Sequence, residues 1–245
     1  MILLYICIQI EIQCMEEAAR FSGCTLSYHQ CRCFDKLSVE QKEFLDANSV
    51  TIKYRKGEMI CKQGGFVSHV MYMEKGLAKV FLENSTNSLV LRIIPDGNFL
   101  GLSSISEAYA NFPYSAMAYV DSEIRQIDVN AFRKLMAQNF EFTKEIIDIL
   151  SANSLQIYGR FFCLTYKQAF GRLADILLCL SDRIFKTTEF DLPLSRKELA
   201  ELSGMSPETV IRMLKEFNEE GIIKMDGKAI EVIDYDRLKQ ISDTG

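Results

Sequence analysis

The chain is short of histidine: His29 and His69 are the only two in 245 residues. Neither belongs to a Ser/Cys–His–acid arrangement, so the usual apparatus of nucleophilic hydrolysis is missing. Also missing are a Walker A motif and the glycine pattern of dinucleotide-binding turns; Gly64-Gly65 is a turn signal, not a phosphate cradle. These absences argue against an enzyme. Basic charge is not in surplus, since 28 Lys and Arg face 33 Asp and Glu for a net −5. Such a protein does not coat nucleic acid by bulk charge, and any contact with it must come from a local surface. No apolar run approaches the roughly 20 residues that cross a bilayer, so no membrane partner is expected. Met1 to Ile8 is nearly all apolar but lacks the basic flank of a secretory signal. Met15 opens a segment of ordinary composition and is the expected true start; an added strand or partner-binding tail, and after those a membrane anchor, are the alternatives. Without a secretory signal, the eight cysteines read as reduced cytoplasmic thiols rather than a disulfide framework.

What is present is a change of period along the chain. From Val50 to about Asp128, short apolar runs are broken by Lys56-Gly57, Gly64-Gly65, Lys75-Gly76, Asn84 to Ser88 and Pro95-Asp96-Gly97. Frequent turn signals between short strands predict an all-β sandwich or barrel. Val70 to Met73, Leu77 to Leu82 and Leu89 to Ile94 are the clearest strands. From Asn130 to Thr165 there is no proline, and Leu150, Ser154, Ile157, Phe161 and Leu164 recur at spacings of four and three, a helical seam. A second stripe runs through Phe142, Ile146 and Ile149. A helix this long has too little domain around it to cover both stripes, so self-association through Ile146, Ile149, Leu150, Ile157, Phe161 and Leu164 is the expectation. A further helix spans Tyr166 to about Phe185, with Phe170, Leu173, Ile176, Leu177 and Leu180 on one face. Lys186 to Asp191 reads as a polar loop, and Cys163 and Cys179 as core. The resulting partition is an N-terminal extension (1–33), a β domain (34–129), a dimerisation helix (130–165) and a C-terminal domain (166–245).

Ser195 and Glu198 form a capping box that opens a short helix, and Gly204 permits a tight turn after it. Ser206-Pro207 starts the next helix with an N-cap and a proline at the first helical position. Val210, Leu214 and Phe217 share its inner face. Ile222 to Lys224, a turn at Asp226-Gly227, and Ala229 to Val232 make a hairpin. Helix, tight turn, helix and hairpin together are a winged helix-turn-helix, which places the second helix in the major groove of double-stranded DNA. Its groove-facing residues are Ser206, Pro207, Glu208, Thr209, Ile211 and Arg212. Arg212 can bond a guanine bidentately, Glu208 can accept from a cytosine amino group, and Ile211 can touch a thymine methyl. Glu208 lies four residues from Arg212 and can orient it. Ser195, Arg196, Thr209, Lys224 and Lys228 are the candidates for phosphate contacts.

The stretch LPLSRKELAELSGMSPETVIRMLKEFNEEGIIKMDGKAIEVID resembles the DNA-binding end of the Crp–Fnr regulators. YRKGEMICKQGG and VMYMEKGLAKVFLE resemble the same family's β-roll, and the resemblance runs from about Phe34 to Val232. It implies an α+β chain: an N-terminal cyclic-nucleotide-binding-type β-roll (jelly roll), a long dimerisation helix and a C-terminal winged helix-turn-helix. It further implies a cytoplasmic homodimer on palindromic promoter sites, with a signal passed from the β-roll to the paired reading heads, and RNA polymerase as partner where the protein activates. The family's reading glutamate and arginine fall on Glu208 and Arg212. Pro207 stands where some members carry a further arginine and cannot supply that contact.

The resemblance also bears on the signal. In cyclic-AMP-binding relatives a Gly-Glu pair and a later Arg-Ser pair hold the nucleotide; here the matching positions are Gly101-Leu102 and Tyr114-Ser115. Without the glutamate and the arginine, cyclic AMP is not expected to bind, and Gly101, Leu102, Tyr114 and Ser115 are candidates for a different pocket. Tyr119, Met71 and Met73 read either as lining of that pocket or as core. Cys24, Cys31 and Cys33 lie roughly where iron–sulfur members hold cluster ligands, but C-x6-C-x-C is not those members' spacing, and Ile124 stands near the expected fourth cysteine. An iron–sulfur cluster completed by Cys14, Cys61 or His29, a zinc site with His29, and thiols without metal are the three readings, and a metal-free protein is the expectation. A ligand-binding module without DNA function, as in channels and kinases, is the remaining alternative.

Overall fold

The computed structural model describes residues 32–84 and 88–245. Cys14, Cys24, His29 and Cys31, with the start at Met1 or Met15, lie outside those residues. A short 3-10 turn and α1 (Val39–Ala47), opened by a Ser38–Gln41 capping box, lead into the β domain. Its strands are β1 (Ser49–Tyr54), β2 (Met59–Cys61), β3 (His69–Lys75), β4 (Leu77–Glu83), β5 (Ser88–Pro95), β6 (Phe99–Leu100), β7 (Ser115–Ala118) and β8 (Ser122–Asp128). They form two four-stranded antiparallel sheets, ordered β1-β8-β3-β6 and β2-β7-β4-β5, facing one another as a β-roll. Period-two alternation sorts their side chains. On β3, Met71 and Met73 point into the roll beside Ile94 and Leu100, while Val70 and Tyr72 point outward against the helices.

The expected helix from Asn130 is interrupted. α2 (Val129–Gln138) ends at Asn139, whose side chain caps α3 (Phe140–Tyr166) by accepting from the Phe142 N–H at 3.0 Å. Its amide group donates to the Lys36 carbonyl at 2.9 Å, so the break is tied to the segment before α1. At 27 residues α3 is about 40 Å long. Its first turns carry Phe142, Ile146 and Ile149 into a core with Phe99, Leu102 and Phe132. Ile146 and Ile149 are therefore covered by their own chain and present no surface to a partner, which corrects the dimerisation set. The seam through Leu150, Ile157 and Phe161 is open only beyond its start: Leu150 packs half-buried against the same core, while Ile157 and Phe161 are 45% and 67% exposed.

α4 (Ala169–Cys179) continues into a π-type turn, Leu180–Phe185, that ends on Lys186 in the left-handed region. Cys163 and Cys179 are buried as expected. The polar stretch after it is not all loop. Glu189–Asp191 form β9, which pairs with the hairpin strand β11. α5 (Arg196–Ser203), α6 (Pro207–Glu219), β10 (Ile223–Asp226), β11 (Ala229–Val232) and a final helix, α7 (Tyr235–Thr244), complete the C-terminal domain. Its sheet is ordered β10-β11-β9.

Candidate DNA-reading surface and sensor interior

The helix-turn-helix forms from its local signals. The Ser195 hydroxyl accepts from the Glu198 N–H at 3.2 Å and the Glu198 carboxylate accepts from the Ser195 N–H at 2.6 Å. Gly204 closes α5 at φ +65°, where a side chain would be strained. A Cβ there would also lie 3.0 Å from Leu164, so Leu164 packs against the turn rather than on an open face. Ser206 caps α6 by accepting from the Thr209 N–H at 3.2 Å. Val210, Met213, Leu214 and Phe217 are buried, which turns Glu208, Ile211 and Arg212 outward. Backbone and Ser206 hydrogen bonds at the helix start hold the Glu208 carboxyl below its ordinary range. Arg212 is not held by Glu208. Its nearest acid is Glu216, one turn on, at 3.8 Å, and its guanidinium remains 65% exposed.

In the wing, Asp226 pairs with Ala229, so the two-residue turn is Gly227-Lys228, one place later than expected, with Gly227 at φ +58°. Lys224, on β10, and Lys228, in the turn itself, are both exposed. Arg196 has another task than the one expected. Its guanidinium donates to the Gly227 carbonyl at 3.1 Å and to Met225 Sδ at 3.0 Å, bracing the wing against α5.

The reading head is packed on the β-roll. Leu77, Phe81, Val90, Ile93 and Tyr119 of the roll share one apolar cluster with Leu199, Leu202, Leu214 and Phe217. Lys79 on β4 meets Glu201 on α5 at 2.6 Å and lies over the Phe81 ring. Lys56 donates to the Pro193 carbonyl at 3.0 Å and lies 3.5 Å from Glu198. Arg160 of α3 donates through Nε to the Val90 carbonyl at 3.1 Å and through Nη2 to the Leu202 carbonyl. One buried guanidinium thus joins β5, α3 and the end of α5. Sequence reasoning missed Lys79, Arg160 and Glu201, since each looks like an ordinary surface charge until the domains meet.

Within the roll the four pocket candidates divide. Gly101, at φ +87°, donates its N–H to Tyr114 Oη at 2.8 Å, so Tyr114 fills part of the interior itself. Burial pushes its phenol up. Ser115 is already engaged: its hydroxyl donates to Glu83 at 2.5 Å and accepts from the Gln63 N–H at 2.9 Å. Leu102 does not face this space, and its candidacy is corrected. It lies on the other side of the sheet with Phe132 and Ile146. Tyr119 likewise packs outside the roll, against the reading head. A residue missed altogether is Arg92 on β5, buried at 7% exposure with Nη1 unpartnered. The signal for it was a lone arginine inside the apolar run Leu89 to Ile94. Of the cysteine candidates Cys33 and Cys61 are described, and they lie in different cores: Cys33 is fully buried with Leu37 and Phe99, and Cys61 is buried inside the roll with Met73 and Ala116. Among the described residues, no group of three or more His, Cys, Asp or Glu could hold a metal ion.

A β-roll joined to a winged helix-turn-helix defines a class of DNA-binding regulator. Residues 51–139 match the cyclic nucleotide-binding domain family and residues 171–241 match the Crp-like helix-turn-helix domain family. The chain is 25% identical to the transcriptional regulatory protein btr of Bordetella pertussis, over 92% of this chain and 94% of that one. It is 24% identical to the transcriptional activator protein FnrA of Stutzerimonas stutzeri, over 74% and 75%. In fold it is similar to FixK2 from Bradyrhizobium japonicum, with a TM-score of 0.72 at 20% identity over 79% and 96% of the two chains. The two domains in this order, with these relatives, show that the chain belongs to the Crp–Fnr family of DNA-binding transcription regulators.

Proposed function

We propose that the protein acts as a cytoplasmic homodimer that reads palindromic promoter sites under control of a signal other than cyclic AMP in the β-roll. The observation that carries the dimer is the open face of α3, where Leu155, Ile157, Tyr158, Phe161 and Phe162 are all exposed in the single chain. A contiguous apolar face of this size marks an interaction site, and a second copy of α3 covers it with matching chemistry. Paired α3 helices would carry two reading heads, whose α6 helices enter successive major grooves roughly one helical turn apart. Ser206, Glu208, Thr209, Ile211 and Arg212 then meet base edges, and Pro207 fixes the helix start. Ser195, Lys224 and Lys228 meet phosphates, while Arg196 serves by holding the wing. Where the site lies upstream of a promoter in the right phase, RNA polymerase is the further partner.

Tyr114 and Leu102 in place of an arginine and a glutamate support a signal other than cyclic AMP. With Cys33 enclosed in an apolar core, the reading without an iron–sulfur cluster is preferred. Selection of bound fragments from a genomic DNA pool tests the proposal. Enrichment of a two-fold symmetric site with a G·C pair in each half is the expected result. Enrichment of an asymmetric single site, or none, would refute the dimeric reading mode.

A further inference from the structure

Arg92 is an arginine placed where an arginine ought not to be stable alone. It projects from β5 opposite Val80 into the interior of the roll, beside Ile94 and Leu100. Its Nη2 donates to the Phe99 carbonyl at a long 3.4 Å, and Nη1 has neither a protein partner nor access to solvent. Among the described residues no ion pair reaches it, and the neighbour that acts on its charge is the neutral Tyr114 phenol. An arginine stays protonated even when burial works against it. A buried cation without a counter-charge is costly, and an anion paired with it would remove that cost.

The site's chemistry restricts that anion. One positive charge faces it, so a monoanion balances the charge and a phosphate dianion does not. The Tyr114 hydroxyl accepts from Gly101 and keeps its own proton to donate. Apart from the Ser103 hydroxyl, which bonds Tyr114, the surroundings named by the packing, Met71, Met73, Ile94 and Phe112, are apolar. We propose that the interior of the β-roll around Arg92 binds a small organic monocarboxylate with an apolar body, its carboxylate on Arg92 and Tyr114. This rests on the reading of the β-roll as the sensor. It also suits that role, because β5 carries the anion site on its inner side and gives the Val90 carbonyl to Arg160, which holds the reading head.

Scanning calorimetry of the full chain without DNA tests it, using acetate, octanoate, benzoate and the uncharged octanamide at matched ionic strength. Octanoate or benzoate should raise Tm by a few degrees, octanamide should not, and acetate should have the smaller effect of a carboxylate without a body. Which of octanoate and benzoate acts more strongly tells an aliphatic from an aromatic body. Arg92→Met should raise the Tm of the ligand-free protein, because it removes an uncompensated charge, and should abolish the carboxylate shift. A lowered Tm in Arg92→Met, equal shifts with octanoate and octanamide, or no shift with any carboxylate at millimolar concentration would overturn the proposal. Calorimetric titration of the wild type with octanoate or benzoate provides a second reading should the variant not fold: one site per protomer supports the proposal, and none refutes it. A protein that binds carboxylate but selects no DNA site would refute the DNA reading and leave this one standing.

Discussion

Burial decides the chemistry of the Cys61 and Cys163 thiols. Burial pushes Cys61 up to about 12 and Cys163 up to about 11, from an ordinary 9.0. The thiolate is the nucleophile, so at pH 8 iodoacetamide should leave both unmodified in the native protein and label both in urea, as read by mass spectrometry. Rapid native labelling of Cys61 would contradict the packing of the roll. The linkage has a definite sign: these thiols ionise more readily unfolded, so stability is unaffected below about pH 9 and falls as pH rises from there toward 12. Single residues were unevenly legible in the sequence. Arg212 could be placed on the reading face from spacing alone, but its partner could not, because Glu208 and Glu216 stand equally four residues away. Arg196 looked like a phosphate ligand, since nothing local reveals that the Gly227 carbonyl comes within its reach. Arg92 was visible as an anomaly in an apolar strand and passed over.

At the scale of elements, local signals were reliable where the element supports itself. The Ser195–Glu198 box and the Ser206-Pro207 start need only their own residues, and both formed as expected. β9 was missed because Glu-Phe-Asp is a strand only by virtue of the β11 edge beside it. The break at Asn139 was missed because it depends on hydrogen bonds to a distant segment rather than on proline. The two stripes of α3 were both legible, but which one its own domain would cover was not. The division now made predicts that Ile157→Glu weakens the dimer at least tenfold, about 1.4 kcal/mol or more, by placing a charge in an apolar seam. Sedimentation at micromolar concentration checks this, and an intact dimer would point to another interface. Lys228 at the tip of the wing belongs to the same scale. Lys228→Ala should weaken binding to all sequences alike and flatten the salt dependence by about one unit, as measured by titrations at several salt concentrations.

The molecule as a whole is bound into one unit by the apolar cluster that runs from the β-roll into the reading head. Lys79–Glu201 and the Arg160 bonds lie at its margin and orient the two parts. Scanning calorimetry of the wild type should therefore show one transition. The Lys79→Ala, Arg160→Ala double variant, which leaves Glu201 and two carbonyls without partners, should show two, with the reading head melting first. A single unshifted transition would mean that the clip contributes nothing to the docking. The domain order and the class of protein could be read from the sequence, but this docking could not, because it joins residues far apart in the chain, 122 positions for Lys79 and Glu201 and 70 for Arg160 and Val90. The central claim is that α6 reads base pairs, with Arg212 as a specifying contact. Fluorescence anisotropy on the selected palindrome and on a copy with the core G·C pair replaced by A·T measures that directly. The wild type should lose about 1–3 kcal/mol per half-site on the replaced DNA, and Arg212→Ala should bind the two DNAs equally. An Arg212→Ala variant that still pays the full wild-type penalty for the replaced pair would show that another surface reads the site.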